Sequence, residues 1–208
     1  MALIGLKHIV GAPIDADNEP AYGEEPNYKP GMVITRGVSI SETYNREDNE
    51  FYADDSLAEN DNSTVSSDIS ITGAEFTPEA RVMCFGDVLV EENGVPVYYK
   101  NGEQTPYLGV GYITSDKRNG KQSYYANWIH KMQFALQGSS AQTKGERVDW
   151  QTATATGKGF PMFLNKANRV VPGVYAVFTD ETGGEAAAIA WVDAKAGITT
   201  NTAQANAL

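Results

Sequence analysis

The chain is short of the side chains that most often carry chemistry near neutral pH. It has two histidines, His8 and His130, and one cysteine. A single cysteine excludes an intrachain disulfide, a CxxC redox pair and a multi-cysteine zinc site. Free cysteine is among the most buried residue types, so Cys84 is expected in the core. Cations are scarce too: 16 Lys and Arg stand against 27 Asp and Glu, for a formal net charge of −11. That balance argues against sequence-specific nucleic-acid binding, which depends on Lys and Arg to neutralise phosphate. It argues equally against an anionic membrane surface. No apolar run approaches 18 residues, so no membrane-spanning helix is expected. Residues 1–17 have Lys7 in their middle and Pro13 and Asp15 soon after, which is not the pattern of a signal peptide. Synthesis in a reducing cytoplasm is the expectation. The GxSxG, GxxxxGKS and HExxH motifs are all missing. Gly109-Val110-Gly111 lacks the third glycine of a dinucleotide loop and lies within a strand pattern. It reads as close packing or a bulge.

What the chain does have is strand signals in a length suited to one domain, 1–208. Residues 3–14 are β-branched and punctuated by glycine. A second strand pattern covers 32–40, after a Pro- and Gly-rich connector. Residues 64–72 alternate, with Val65, Ser67, Ile69 and Ile71 on one face. Thr77, Pro78, Glu79 and Gly86 are the cap, first-turn and stop residues of one short helix. Glu91-Glu92-Asn93-Gly94 predicts a tight hairpin between 88–90 and 95–99. Asn119-Gly120 predicts another, joining 107–114 to a strand over 123–137. That last strand is expected to be the longest, with Tyr124, Ala126, Trp128, His130, Met132, Phe134 and Leu136 on one face. It exceeds the usual strand length, so it is expected to bend, to bulge or to serve two sheets. A further strand is expected over 147–156. From about residue 157 the pattern is weaker, with a hairpin from 158–164 and 170–178, then a helix over 185–194 stopped by Gly197. Residues 199–208 read as a mobile tail.

Residues 41–62 stand apart from the rest. They hold eight acidic side chains against Arg46 alone. The segment reads as a loop, and loops of this length in a compact domain are usually functional or disordered. Phe51 and Tyr52 argue against disorder, because disordered acidic tracts are poor in aromatics. An acidic loop with an aromatic centre is expected to order against a partner, most simply another copy of the chain. The candidate intersubunit residues are Phe51, Tyr52, Asp54, Asp55, Glu59 and Asp61. Asp54-Asp55 and Asp61-Asn62 resemble fragments of a calcium loop but lack the EF-hand order. No metal, no cofactor and no catalytic residue is assigned. His130, between Trp128 and Met132, reads as a structural histidine, and His8 has no nucleophile motif beside it. A carbohydrate-binding or virion-decoration β-sandwich is the alternative, with Tyr98, Tyr99, Tyr124 and Tyr125 as its aromatic platform.

Several segments in order resemble one known family. They are the opening MALIGLKHIVGAPI, then Phe51-Tyr52-Ala53-Asp54-Asp55 with Ala58-Glu59, then the alternating strand and the helix at 76–85. Tyr107-Leu108-Gly109-Val110-Gly111-Tyr112 follows, then the strand carrying Lys131, and Gln142-Thr143-Lys144-Gly145 before Val148-Asp149-Trp150-Gln151-Thr152. Over roughly residues 1–160 the set resembles the major tail tube proteins of long-tailed bacteriophages of Gram-positive bacteria. The resemblance implies a mainly β fold: a β-sandwich or half-barrel of two antiparallel sheets flanked by a short α-helix. It also implies a structural, non-enzymatic virion protein made in the bacterial host cytoplasm. Its partners would be copies of itself, in hexameric rings stacked into the tail tube, with the tape-measure, tail-terminator and distal tail proteins. DNA would pass through the lumen without specific binding during ejection.

Overall fold

The β-branched opening forms β1 (Leu3–Pro13), and the computed structural model describes residues 3–53, 56–118, 120–136 and 152–198, with side chains throughout except at 3–4, 47–53, 56–63 and 118. The further strands are β2 (Met32–Thr35), β3 (Gly37–Ala53), β4 (Ser56–Gly73), β5 (Val88–Glu92), β6 (Val95–Tyr99), β7 (Tyr107–Arg118), β8 (Lys121–Phe134), β9 (Ala153–Gly159), β10 (Met162–Leu164), β11 (Arg169–Val171) and β12 (Gly173–Thr179). Helices α1 (Pro78–Phe85) and α2 (Gly184–Lys195) complete the order. The chain is mainly β, as expected.

One eight-stranded sheet dominates, in the order β2-β1-β7-β8-β9-β4-β3, with β12 also paired to β8. Every strand pairing described is antiparallel. The sheet curls until its two ends face each other. Ile9 and Ile34 near one end then share a core with Ile69 and Ile71 near the other, along with Ile129, Met132 and Phe134 of β8. The approach of the two ends is tight. A Cβ on Gly37 would lie 2.6 Å from Ile9 Cδ1, and one on Gly73 would lie 2.0 Å from Thr35 Oγ1. Ala74 N donates to Arg36 O at 3.0 Å across the same corner. This gives the two facing layers of a half-barrel from a single bent sheet.

Helix α1 plugs this core with Ala80, Cys84 and Phe85. Its ends are those the sequence predicts. Thr77 Oγ1 accepts from Ala80 N at 3.2 Å, Pro78 opens the first turn, and left-handed Gly86 (φ 75°) donates to Val82 O. Helix α2 covers the opposite face of the sheet. Ala188, Val192 and Ala196 pack there on Val10, Ala12, Ile113, Ala126 and Trp128. Its end is set by Gly197 (φ 64°), as expected.

The side chains reach both cores because two strands bulge. Between its pairings with β7, β1 spends three steps (Lys7 to Val10) against two (Ile113 to Gly111). The extra residue is accommodated at His8, whose φ is 53°. On the other side of β7, β8 spends three steps (Ile129 to Met132) against two (Val110 to Leu108). A bulge of this kind moves the following side chains to the other face. The single face expected for Tyr124 through Leu136 is therefore divided. Tyr124, Ala126 and Trp128 face α2, whereas Met132 and Phe134 enter the core of the curled sheet.

The bulge is also where β8 changes partners. Residues 123–129 pair with β12 and residues 132–134 with β9, both within the one large sheet, so of the expectations for this strand the bulge holds and service to two sheets does not. At 14 residues β8 is not the longest strand; β3 and β4 have 17 and 18. The expected strand over 147–156 begins in the structure at Ala153, and 147–151 lie outside the described residues. The expected hairpin of the last quarter is confined to β10–β11, because β12 leaves it to pair with β8. The tail at 199–208 lies outside the described residues.

Glycine at 111 is required by packing on α2. A Cβ there would lie 2.5 Å from Val192 Cγ1 and 2.7 Å from Trp128 Cε3. Gly111→Ala is expected to destabilise the fold by about 1–3 kcal/mol through overpacking. Gly102→Ala, where a Cβ meets nothing within 4 Å, should change stability by less than about 0.5 kcal/mol. Urea unfolding of the two variants beside the parent checks both values.

Candidate functional site

The acidic segment at 41–62 is not a loop. It forms the two arms of the β3–β4 hairpin, paired from Gly37↔Gly73 out to Ala53↔Ser56. Register explains how so acidic a stretch can pair. Glu47 stands opposite Ser63, Asp48 opposite Asn62, Glu50 opposite Asn60, and Asp61 opposite Asn49. No two acids face each other in this stretch, so the like-charge penalty of directly opposed residues is avoided.

Strand β9 supports β4 only over Ser67–Gly73. Beyond Ser67 the hairpin is paired to nothing else among the described residues. Residues 45–53 of β3 thus run outward as a two-stranded ribbon about 30 Å long at the usual rise per residue. Of the predicted intersubunit residues, Phe51 and Tyr52 lie on β3, with a bulge between them, and Glu59 and Asp61 lie on β4. Phe51 is in register with Glu59. Asp54 and Asp55, at the turn, lie outside the described residues.

The root of the ribbon carries a polar cluster. Glu42 lies against the hydroxyls of Tyr44, Ser67 and Tyr112. Burial holds its carboxyl above the ordinary range despite those hydroxyls. The Tyr44 hydroxyl is pushed up to about 12 by burial and the neighbouring Glu42 charge. Just beyond, Tyr44 and Val65 are 46% and 47% exposed. The inward stripe of the core therefore runs out onto the uncovered ribbon.

Two further surfaces were not legible as exposed. Strand β12 pairs with β8 along one edge, and no described strand lies on its other edge. Tyr175 and Val177 stand exposed there. The β5–β6 hairpin turns through Asn93 (φ 52°) and Gly94 (φ 77°), as its Asn-Gly pair predicts. All five residues of β5 are exposed. At its root the hairpin is held by hydrogen bonds: Asp87 accepts from Arg81 Nε at 3.0 Å and from Asn101 N at 3.1 Å, and Asn101 Nδ2 donates to Phe85 O. A sequence signal for this existed in the apolar residues at both parities, Val88-Leu89-Val90 and Val97-Tyr98-Tyr99, in a segment too short to have both faces covered.

The tyrosines of the carbohydrate reading do not form one platform. Tyr124 is buried under α2 while Tyr125 points to the other face of β8, and Tyr98 and Tyr99 lie on opposite faces of their hairpin. Among the described residues no three His, Cys, Asp or Glu side chains group as metal ligands. Cys84 is fully buried, and burial raises its thiol far above the usual range. His8 binds the buried Asp193 of α2 at 2.6 Å (Nε2 to Oδ1) and so ties the β1 bulge to the helix.

His130 is fully buried at the β8 bulge, and neither ring nitrogen has a hydrogen-bond partner. Its backbone is well held: Tyr28 Oη donates to His130 O at 2.8 Å, and His130 N donates to Pro172 O. Burial lowers its pKa, with the nearby Glu25 and Lys195 charges acting in opposite senses. An unfolded histidine takes up its proton near about pH 6.5, whereas folded His130 resists. The stability it allows is therefore complete above that pH and falls as pH drops through it. His130→Leu is expected to lose less stability than the parent between about pH 7 and about pH 5. Denaturant unfolding at several pH values checks this, and parallel profiles would refute it. No protein-family model and no curated protein sequence matches this chain.

Proposed function

We propose that this chain is a structural subunit of a phage tail tube, closing into hexameric rings that stack around a DNA-conducting lumen. The observation that carries the reading is the ribbon of β3 and β4, which among the described residues runs beyond every other strand that could pair with it. An unpaired, projecting two-stranded sheet has little reason to persist unless something covers it. The edge of β12 that no described strand covers is a second place where a neighbour's sheet can continue this one. Rings require such heterologous contacts that close by rotation, and stacking requires another along the axis.

Charge supports the same reading. A chain of net −11 offers phosphate little to bind, so DNA slides past without counterion release to hold it. The protein acts in this reading by assembly and not by catalysis. It takes its place in the virion tail beside tape-measure, terminator and distal tail proteins. Purified protein at high concentration is expected to form rings or tubes in negative-stain micrographs, and a strict monomer under all salt and concentration conditions would refute the proposal. Replacing Tyr52, Asp54 and Asp55 together with Ala should preserve the circular dichroism spectrum and weaken tube formation. Tubes of normal yield and length would remove the ribbon from the ring-to-ring contact.

A further inference from the structure

We propose that the basic tip of the β7–β8 hairpin of one copy receives the acidic β3–β4 ribbon of a second copy standing beside it. The inference rests on the self-assembly reading above and assigns to it one pair of complementary surfaces.

The tip concentrates the scarce cations of the chain. Lys117, Arg118 and Lys121 lie within five residues, and no other five-residue stretch holds three Lys or Arg. Lys117 and Lys121 are exposed, whereas Asp116, the nearest acid in sequence, is buried. Several other cations are matched within the chain: Lys7 meets Glu185, Lys29 meets Asp15 and Asp17, Arg81 meets Asp87, and Lys195 meets Glu25. Among the described side chains no acid pairs with Lys117 or Lys121.

Register sharpens the contrast. Arg118 stands directly opposite Lys121, so the tip sets cation against cation. Directly opposed like charges cost stability, and an anion beside them offsets that cost. The ribbon is the opposite case. Between Glu47 and Asp61 its acids face Ser, Asn or Phe across the register, so their charge is left for something outside the hairpin.

Topology indicates which copy supplies the match. Met132 of β8 and Ser67 of β4 both pair with Gly159, and both strands run antiparallel to β9. Lys121 and Ser56, each eleven residues back along its strand, therefore lie toward the same end of the sheet. Each stands about 36 Å from that level at the usual rise per residue. Strand β12 lies along β8 on the side facing the ribbon, between a subunit's own tip and its own ribbon. Copies stacked end to end point both features the same way and keep them apart. Copies side by side bring the tip of one to the ribbon of the next, and this heterologous contact closes by rotation. Exposed ion pairs hold weakly, but like-charge juxtaposition rejects wrong alignments. The contact thus sets which side of one copy meets which side of the next, and the bulk of the adhesion lies elsewhere.

The test uses full-length chains and reverses charge on each surface separately. Lys117→Glu/Lys121→Glu carries an acidic tip, and Glu47→Lys/Asp48→Lys/Glu50→Lys carries a basic stretch of ribbon. Each alone is expected to need about ten-fold more protein than the parent to assemble, because every contact then joins like charges. An equimolar mixture is expected to assemble at the parent's concentration into particles holding both chains, since acidic tip meets basic ribbon and basic tip meets acidic ribbon. Circular dichroism matching the parent checks that the variants fold. Should the lysine ribbon misfold, Glu47→Gln/Asp48→Asn/Glu50→Gln takes its place and is expected to raise the concentration needed by a smaller factor. Variants that each assemble as readily as the parent would overturn the contact and leave the assembly reading standing. Weakened variants that mixing does not restore would place these charges inside one chain or toward another partner, and would overturn the contact as well. A parent that never assembles removes both.

Discussion

Along one edge, β8 serves two strands: β12 over its first half and β9 at its end. A flat strand presents one continuous edge, so the changeover needs a local break, and the bulge near His130 supplies it. The same extra residue turns Met132 and Phe134 inward, after Trp128 has faced α2. A second bulge at His8 does the same for β1 on the far side of β7. Between them β7 passes straight through, and its Gly109 and Gly111 give Trp128 room. Two cores on opposite faces of one sheet follow from those two extra residues.

The histidines at these bulges are held in opposite ways. His8 adopts a left-handed backbone and anchors by its ring to buried Asp193. His130 is anchored by its backbone, through Tyr28 and Pro172, and its ring is left without a partner. Tyr28 also accepts from Trp128 Nε1 at 3.1 Å and meets that indole edge-on at 5.2 Å. The Pro- and Gly-rich connector is therefore a strap across the point where β8 divides. Lys195 of α2 pairs with Glu25 of the same connector, so helix and strap brace each other.

Local signals were read well where one residue does one job. Thr77, Pro78 and Gly86 bound a helix, Asn93-Gly94 turn a hairpin, and Gly109 and Gly111 stand where large side chains approach. Nonlocal facts were less legible. The face switch in β8 is invisible to alternation, because a bulge inserts a residue without altering the hydrophobic pattern on either side. The acidic segment suggested a loop because strand propensity is low for Asp, Glu and Asn. Its pairing is visible only once register sets Glu50 against Asn60 and Asp48 against Asn62. Whether an apolar strand face is covered depends on packing elsewhere, so the exposure of β12 had no firm sequence signal, whereas β5 and β6 carried one in their apolar residues at both parities.

The surfaces left open differ in charge. The ribbon is long, polar and acidic, whereas the β5–β6 face is short and apolar apart from one engaged carboxylate. Repulsion between copies of a −11 chain acts over roughly 10 Å at moderate salt, so it opposes every approach before contact. An apolar seat acts only at contact and is non-directional. A ribbon fixes orientation through main-chain register and reach. For self-association of the proposed kind neither surface would suffice alone: the apolar face is too small to hold two charged copies, and the acidic ribbon is too repulsive to draw them together. In the assembly proposed above, adhesion would have to come from short apolar contacts repeated over many copies, while the acidic surface would resist misaligned encounters.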